Sequence, residues 1–132
     1  MKSKILCLGL LILILCLYAC AESSYLLRKS VDDIEKIEIV SAKTSQDYSV
    51  LKTLSDDEKE SFLVQFQEVG FRKYIAGDPM SVSGNAIKIT YSDGSYEMVC
   101  DYWSEYVEDG KIYFNRCNCD EEEFLKLLED FS

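Results

Sequence analysis

The chain has 132 residues, of which 14 are lysine or arginine and 24 are aspartate or glutamate, and it contains no histidine. Without histidine the usual general base, the Ser–His and Cys–His nucleophile pairs and the commonest metal ligand are missing, which excludes hydrolysis by a catalytic triad. The formal net charge of −10 repels phosphate backbones, and no basic patch with interleaved aromatic residues offsets it, so we expect no nucleic-acid partner.

The first twenty residues have the features of an export signal. Lys2 and Lys4 precede an unbroken apolar run of 13 residues from Ile5 to Leu17. A helix that spans a bilayer needs about 20 apolar residues, so this run is short for a permanent anchor. We therefore predict that residues 1–19 are a cleaved signal peptide.

This segment ends in Leu17-Tyr18-Ala19-Cys20, which resembles the lipobox of bacterial lipoproteins. The resemblance implies that Cys20 is acylated and that the protein is extracytoplasmic, lipid-anchored to the cell membrane. The alternatives are an ordinary signal peptide cut elsewhere and an uncleaved signal anchor. Cleavage before Cys20 removes two lysines and leaves 12 basic against 24 acidic residues, a formal charge of −12. The acyl chains rather than the surface charge are then expected to hold the protein at the membrane.

The rest of the chain divides into a tether and one domain. Residues 20–31 comprise the lipidated cysteine and a tether without a sustained hydrophobic period, and residues 32–132 form a single domain. Ile37 and Ile39 alternate with polar residues and predict a half-buried strand. A second, weaker strand is predicted over residues 49–53.

A first helix is predicted to begin after Ser55, because Ser55 and Glu58 have the spacing of a capping box. Its apolar face recurs at helical spacing and comprises Phe62, Leu63, Phe66 and Val69. Gly70 stands where a left-handed cap belongs, and Phe71 can fold back on Phe66.

Alternating residues beyond the helix predict further strands. After a strand over residues 71–75, Ile87 to Tyr91 and Tyr96 to Asp101 alternate on either side of Asp93-Gly94, which is a strong hairpin signal. Asp109-Gly110 repeats that signal before residues 112–114. We therefore expect three consecutive strands in an antiparallel meander.

The chain closes with a second helix, which Asp120 caps and Glu123 completes as a capping box. Its apolar stripe comprises Phe124, Leu127, Leu128 and Phe131. This order of elements predicts an α+β fold, an antiparallel sheet of about five to six strands with two helices packed on one face.

This arrangement resembles the small, poorly characterised lipoproteins of Gram-positive bacteria. The features that carry the resemblance are a lipobox, an Ile-rich first strand, a capped helix, an Asp-Gly hairpin and a short terminal helix. They lie at Leu17 to Cys20, Ile34 to Ile39, Ser55 to Gly70, Ile87 to Met98 and Asp120 to Phe131. The resemblance implies a fold and a location and brings no chemistry with it.

The extracytoplasmic cysteines are the most specific remaining feature. If a hairpin turns regularly about Asp109-Gly110, residues whose numbers sum to about 219 face each other, so Cys100 lies opposite Cys119 and close to Cys117. A structural disulfide from Cys100 to Cys119 or Cys117 would stabilise the domain by about 2–4 kcal/mol. The functional alternative is a thiol-based redox or soft-metal site made by all three thiols, and reduced, inert thiols are the third possibility.

The function predicted from these features is noncatalytic binding of a protein, peptide or envelope component. The aromatic residues Tyr102, Trp103, Tyr106 and Tyr113 are candidates for an exposed binding surface. No Gly-rich phosphate loop or dinucleotide fingerprint is present, so no cofactor is expected. The acidic first turns of the two helices lack the alternation of a calcium-binding loop, and no metal site is predicted there.

Overall fold

A computed structural model describes residues 24–73 and 77–132, so the predicted signal peptide and Cys20 lie outside the described residues. After a 3₁₀ turn at Val31–Asp33, the strands are β1 (Ile34–Thr44), β2 (Asp47–Thr53), β3 (Phe71–Lys73), β4 (Gly84–Tyr91), β5 (Tyr96–Val99), β6 (Ser104–Glu108), β7 (Lys111–Asn115) and β8 (Cys117–Cys119). The helices are α1 (Asp56–Glu68) and α2 (Glu121–Phe131).

Six of the strands form one antiparallel sheet in the order β2-β1-β4-β5-β6-β7. The other two, β3 and β8, pair with each other in a small antiparallel sheet. The α+β prediction is confirmed, including the six-stranded sheet and the two helices.

Both helices pack on one face of the large sheet. The apolar stripe of α2 and the Phe62–Phe66 side of α1 share one core with Ile37, Ile87 and other inward-facing strand residues. The ring of Phe62 meets that of Phe131 edge to face at 5.3 Å, so the helices also contact each other. Phe71 packs against Phe66 with the ring centroids 5.8 Å apart, as the sequence predicted.

The capping box of α1 is confirmed, only the Asp120 half of the box predicted for α2 is present among the described residues, and the left-handed cap predicted at Gly70 is wrong. Ser55 and Glu58 make both hydrogen bonds of the capping box, and Asp120 accepts from the amide of Glu123. The helix α1 ends in the extended residue Val69, and Gly70 does not have a positive φ. Because β3 begins at Phe71, the chain runs directly from helix to strand and needs no left-handed reversal.

A second, smaller core lies on the opposite face of the large sheet. It contains Val40, Met98 and Trp103, and Val82 from the segment before β4 covers it. The β1–β2 hairpin also contacts this face, where the hydroxyl of Tyr96 on β5 donates a hydrogen bond to the backbone oxygen of Ser45 at 2.7 Å. The large sheet therefore buries side chains on both of its faces.

Four strands follow β4 where two were predicted, and the additional ones are β6 and β8. A turn at residues 100–103, closed by the amide of Cys100 donating to the oxygen of Trp103 at 2.9 Å, divides the expected long strand into β5 and β6. The register about Asp109-Gly110 is as predicted, since Glu108 pairs with Lys111 and Ser104 with Asn115. Both turn residues have positive φ, 51° and 75°, which matches the tight hairpin turn that this dipeptide favours.

Residues 25–31 belong to the domain and are not a free tether, so the predicted boundary at residue 32 is wrong. Tyr25 is buried in the helix-side core. Its hydroxyl and the amide of Arg28 donate to the two carboxylate oxygens of Glu97, at 2.9 Å and 3.0 Å. Lys29 forms an ion pair with Asp93. Sequence patterns do not predict this docking, because it depends on contacts between residues that are about 70 positions apart in the chain.

Candidate functional site

The four aromatic residues predicted as one surface lie on different faces of the sheet. Trp103 is fully buried in the smaller core, and its indole N–H donates to Glu105 at 3.1 Å. Tyr106 is buried on the helix side, and only Tyr113 is largely exposed. The hydroxyl of Tyr102 is bound to the segment before β4, accepting from the amide of Ser83 at 3.1 Å. The prediction of an exposed patch around Trp103 is therefore wrong, because Trp103, directly before β6, and Tyr106 on β6 are buried on opposite faces of the sheet.

Exposed apolar side chains are concentrated instead on β7, at one edge of the large sheet. Three consecutive large residues there are accessible, with exposed fractions of 38% for Ile112, 41% for Tyr113 and 47% for Phe114. The chain leaves the sheet after Asn115, and β8 pairs with β3 instead. No other described strand continues the sheet beyond β7.

The outer edge of β7 presents backbone groups that can pair with a further strand. In a hairpin closed by two residues, Glu108 and Lys111 exchange hydrogen bonds, and the next pair does not. The N–H and C=O groups of Ile112 and Phe114 therefore point away from β6. Within the described residues, no backbone hydrogen bond reaches them from another segment.

The residues of β7 itself and Arg116 after it are basic or neutral although the protein as a whole is acidic. From Lys111 to Arg116 the sequence carries two cations and no carboxylate. The Arg28 guanidinium lies over the rings of Tyr106 and Tyr113, 5.4 Å and 5.9 Å from their centroids. Such stacking holds a charged group against an aromatic surface while leaving it accessible to an anionic partner.

The opposite edge strand, β2, is built differently. It also exposes apolar side chains, including Val50 at 47%. Its pairing with β1 is interrupted by two register shifts, whereas β7 pairs with β6 without any. Bulges twist an edge away from regular pairing, so β7 is the edge that is better suited to receive another strand.

Two buried carboxylates lie on neighbouring strands and face opposite cores. Glu97 on β5 accepts from Tyr25, Tyr91 and the amide of Arg28 on the helix side. Glu105 on β6 accepts from Ser45, from the indole of Trp103 and from the amide of Val82 on the other side.

Burial raises the pKa of the Glu97 carboxyl above its usual range. Since each carboxylate already has three protein donors, both serve to hold distant segments in place.

All three described cysteines are free thiols, so the predicted disulfide is not formed in this structure. Cys100 lies in the smaller core at the β5–β6 turn, whereas Cys117 lies in the helix-side core. The register rule that placed Cys100 opposite Cys119 fails because β6 begins only at Ser104, so the β6–β7 pairing stops at Ser104 and Asn115. The hydrogen bonds of the thiols go elsewhere, from Cys100 to the oxygen of Trp103 at 3.2 Å and between Cys117 and Ser104 at 3.4 Å.

These thiols are in surroundings that favour the protonated form. Burial raises the pKa values of Cys100 and Cys117, and burial together with the nearby Asp101 raises that of Cys119 to about 12. Thiolates rather than thiols attack disulfides and bind soft metals. Within residues 24–73 and 77–132, no group of three or more Cys, Asp or Glu side chains is placed to hold a metal ion.

An open cleft of about 680 Å³ lies where the N-terminal segment crosses the end of β7. Residues 24–28 form one wall, and Phe71, Lys73, Asn115 and Cys117 form the other. This cleft was not predicted from the sequence, because its first wall was predicted to be a free tether.

None of the helices in the described part of the chain has the length and apolarity to cross a bilayer. Comparison with known proteins finds no matching family model, no similar curated protein and no similar solved structure, so the function has to be inferred from the residues themselves.

Proposed function

We propose that this chain is an extracytoplasmic lipoprotein, anchored through acylated Cys20, which binds an extended segment of another protein along β7 and catalyses no reaction. The observation that carries the proposal is the open edge of β7 with its three exposed apolar residues. An added strand would gain main-chain hydrogen bonds from Ile112 and Phe114. Side chains on alternate faces of β7 would then select the sequence of that strand.

The cations around β7 define the chemistry of the partner. Lys111 and Arg116 flank the apolar residues, and Arg28 lies over Tyr113. Carboxylates in the incoming segment would complement these charges and speed the association. The expected partner is therefore an extended segment in which apolar residues are flanked by aspartate or glutamate.

A displayed library of short peptides, selected on the purified protein, tests this proposal. We expect enrichment of alternating apolar residues with acidic flanks. Binding of a selected peptide should slow hydrogen exchange at the amides of Ile112 and Phe114. The substitution Ile112→Lys should weaken binding about tenfold, equivalent to about 1.4 kcal/mol, because it removes an apolar contact and adds a charge at the edge.

Val50→Lys is the matched control, since Val50 is a similarly exposed branched residue on the other edge strand. It should leave peptide affinity unchanged. Equal losses from the two variants, or protection at β2 rather than β7, would contradict binding along β7.

A further inference from the structure

The cleft beside the N-terminal segment has a composition unlike the rest of this acidic protein. Arg28 and Lys73 are both exposed residues that line it, and none of its nine lining residues is an aspartate or glutamate. The remaining walls include Leu26, Leu27 and Phe71. A cleft with two cations and an apolar wall suits an amphiphilic anion, whose charge is neutralised while its apolar part is removed from water.

Leu26 extends this amphiphilic character onto the surface. Its side chain is 73% exposed, the highest fraction among the large apolar residues of the described chain. The neighbouring Tyr25 is buried and hydrogen-bonded to Glu97, so the backbone at Leu26 is held by the domain. A fixed apolar side chain beside two cations is the arrangement by which peripheral proteins insert into the boundary between lipid headgroups and acyl chains.

The position of the cleft relative to Cys20 also indicates a membrane lipid as the ligand. Ser24 lines the cleft and follows Cys20 by four residues, which can span at most about 14 Å when fully extended. If Cys20 carries the acyl anchor, this corner of the domain lies within reach of the headgroups. The local positive charge is then attracted by an anionic bilayer, even though the net charge of the whole protein is repelled.

We propose that the cleft binds the headgroup of an anionic phospholipid in the membrane that anchors the protein, with Leu26 inserted among the acyl chains. The proposal rests on the lipid anchor of the proposed function, and it adds that the domain has a fixed orientation relative to the bilayer. The wall formed by residues 24–28 faces the bilayer, and the domain does not rotate freely about its anchor.

The experiment uses the full chain, expressed with its signal segment and reconstituted into vesicles that contain brominated acyl chains. Leu26→Trp reports insertion at the cleft. Leu51→Trp is the matched control, because Leu51 is also exposed but lies on β2 at the far edge of the sheet. The buried Trp103 contributes a constant background that the wild-type chain measures.

In vesicles that contain phosphatidylglycerol, we expect strong quenching and a blue shift for Leu26→Trp and neither effect for Leu51→Trp. Combining Leu26→Trp with Arg28→Gln and Lys73→Gln, or replacing phosphatidylglycerol with phosphatidylcholine, should at least halve the quenching. Vesicle flotation reports the anchor separately. A chain that floats without selective quenching at position 26 overturns the headgroup site and leaves the anchor intact, whereas a chain that does not float overturns both.

Inorganic phosphate distinguishes a membrane site from a site for a soluble anion. Millimolar phosphate should reduce the quenching no more than chloride of the same ionic strength does. A specific loss with phosphate would show that the cleft takes a free phosphate, and the membrane proposal would then be wrong.

Discussion

Glu97 and Glu105 are buried carboxylates that bind other segments of the chain on opposite faces of the sheet. Each accepts hydrogen bonds from three donors, two of which belong to segments that are distant in sequence. A buried charge is tolerated when its oxygens are bonded in this way, and its removal leaves the donors without partners. These two residues therefore fix the N-terminal segment and the β1–β2 hairpin to the sheet.

Glu97 should give the free energy of unfolding a pH dependence of defined sign. Its pKa is raised in the folded state above the ordinary value of 4.5, so folding favours the protonated form. This contribution is fully present below pH 4.5 and is lost as the pH rises through the folded pKa. In Glu97→Gln the free energy of unfolding, measured by urea titration from about pH 4 to pH 7, should lose this downward component.

Glu108→Gln is the control for that measurement, because Glu108 is a partly exposed carboxylate on the adjacent strand. It should keep the wild-type pH dependence. An unchanged slope in Glu97→Gln would show that burial does not perturb this carboxyl.

The three described thiols should react slowly in the folded protein. Cys119 has a pKa of about 12, and Cys100 and Cys117 are buried, so the reactive thiolate is scarce at neutral pH. In protein whose chain begins at acylated Cys20, only these three of the six cysteines in the sequence remain as thiols. We expect little alkylation of that protein by iodoacetamide in buffer and three modified cysteines in denaturant, as counted by intact mass. A single modified cysteine in denaturant without reductant would instead reveal the disulfide predicted from the sequence.

At the scale of elements, short-range signals predicted most of the structure. Helix caps and tight turns form between residues at most four positions apart, so the sequence alone predicts them. The caps at Ser55 and Asp120 and the turn at Asp109-Gly110 are of this kind. The break between β5 and β6 carried only a weak signal, because Asp101 is the single turn-favouring residue among residues 100–103. The predicted disulfide depended on the absence of this turn.

The capping box of α1 predicts a measurable loss of stability. Ser55→Ala removes the acceptor for the amide of Glu58 and should lower the free energy of unfolding by about 1 kcal/mol. Ser61→Ala, an exposed position inside the same helix, should leave stability unchanged or raise it slightly. Urea titration of the two variants checks this, and equal effects would mean that the cap contributes nothing.

At the scale of the whole molecule, long-range contacts are what the sequence did not predict. The alternating pattern of the strand predicted Glu97 as one of its polar residues, yet the Glu97 side chain is buried because the N-terminal segment covers it. The sequence predicted both helices on one face of the sheet and nothing on the second face, which Val82 and the β1–β2 hairpin cover. Periodicity shows which side chains share a face, but it does not show what covers that face.

Docking of the N-terminal segment should depend on the contact between Tyr25 and Glu97. Tyr25→Phe removes the hydroxyl and should destabilise the protein by about 1 kcal/mol, while making residues 24–30 more sensitive to limited proteolysis. The double variant with Glu97→Gln should be less destabilised than the sum of the single variants, since the two side chains share one hydrogen bond. Strict additivity would show that the segment is held by other contacts.

The cations that flank β7 have a consequence for encounters between copies of this protein. Two copies that paired their β7 strands antiparallel about Tyr113 would bring Lys111 of each beside Asn115 and Arg116 of the other. In this register Lys111 faces Asn115 and lies one position from Arg116 of the other copy, and the like charges of the two cations repel each other. The edge can thus remain open to a foreign strand without pairing with a second copy, so the same two residues that would attract an acidic segment also disfavour self-association.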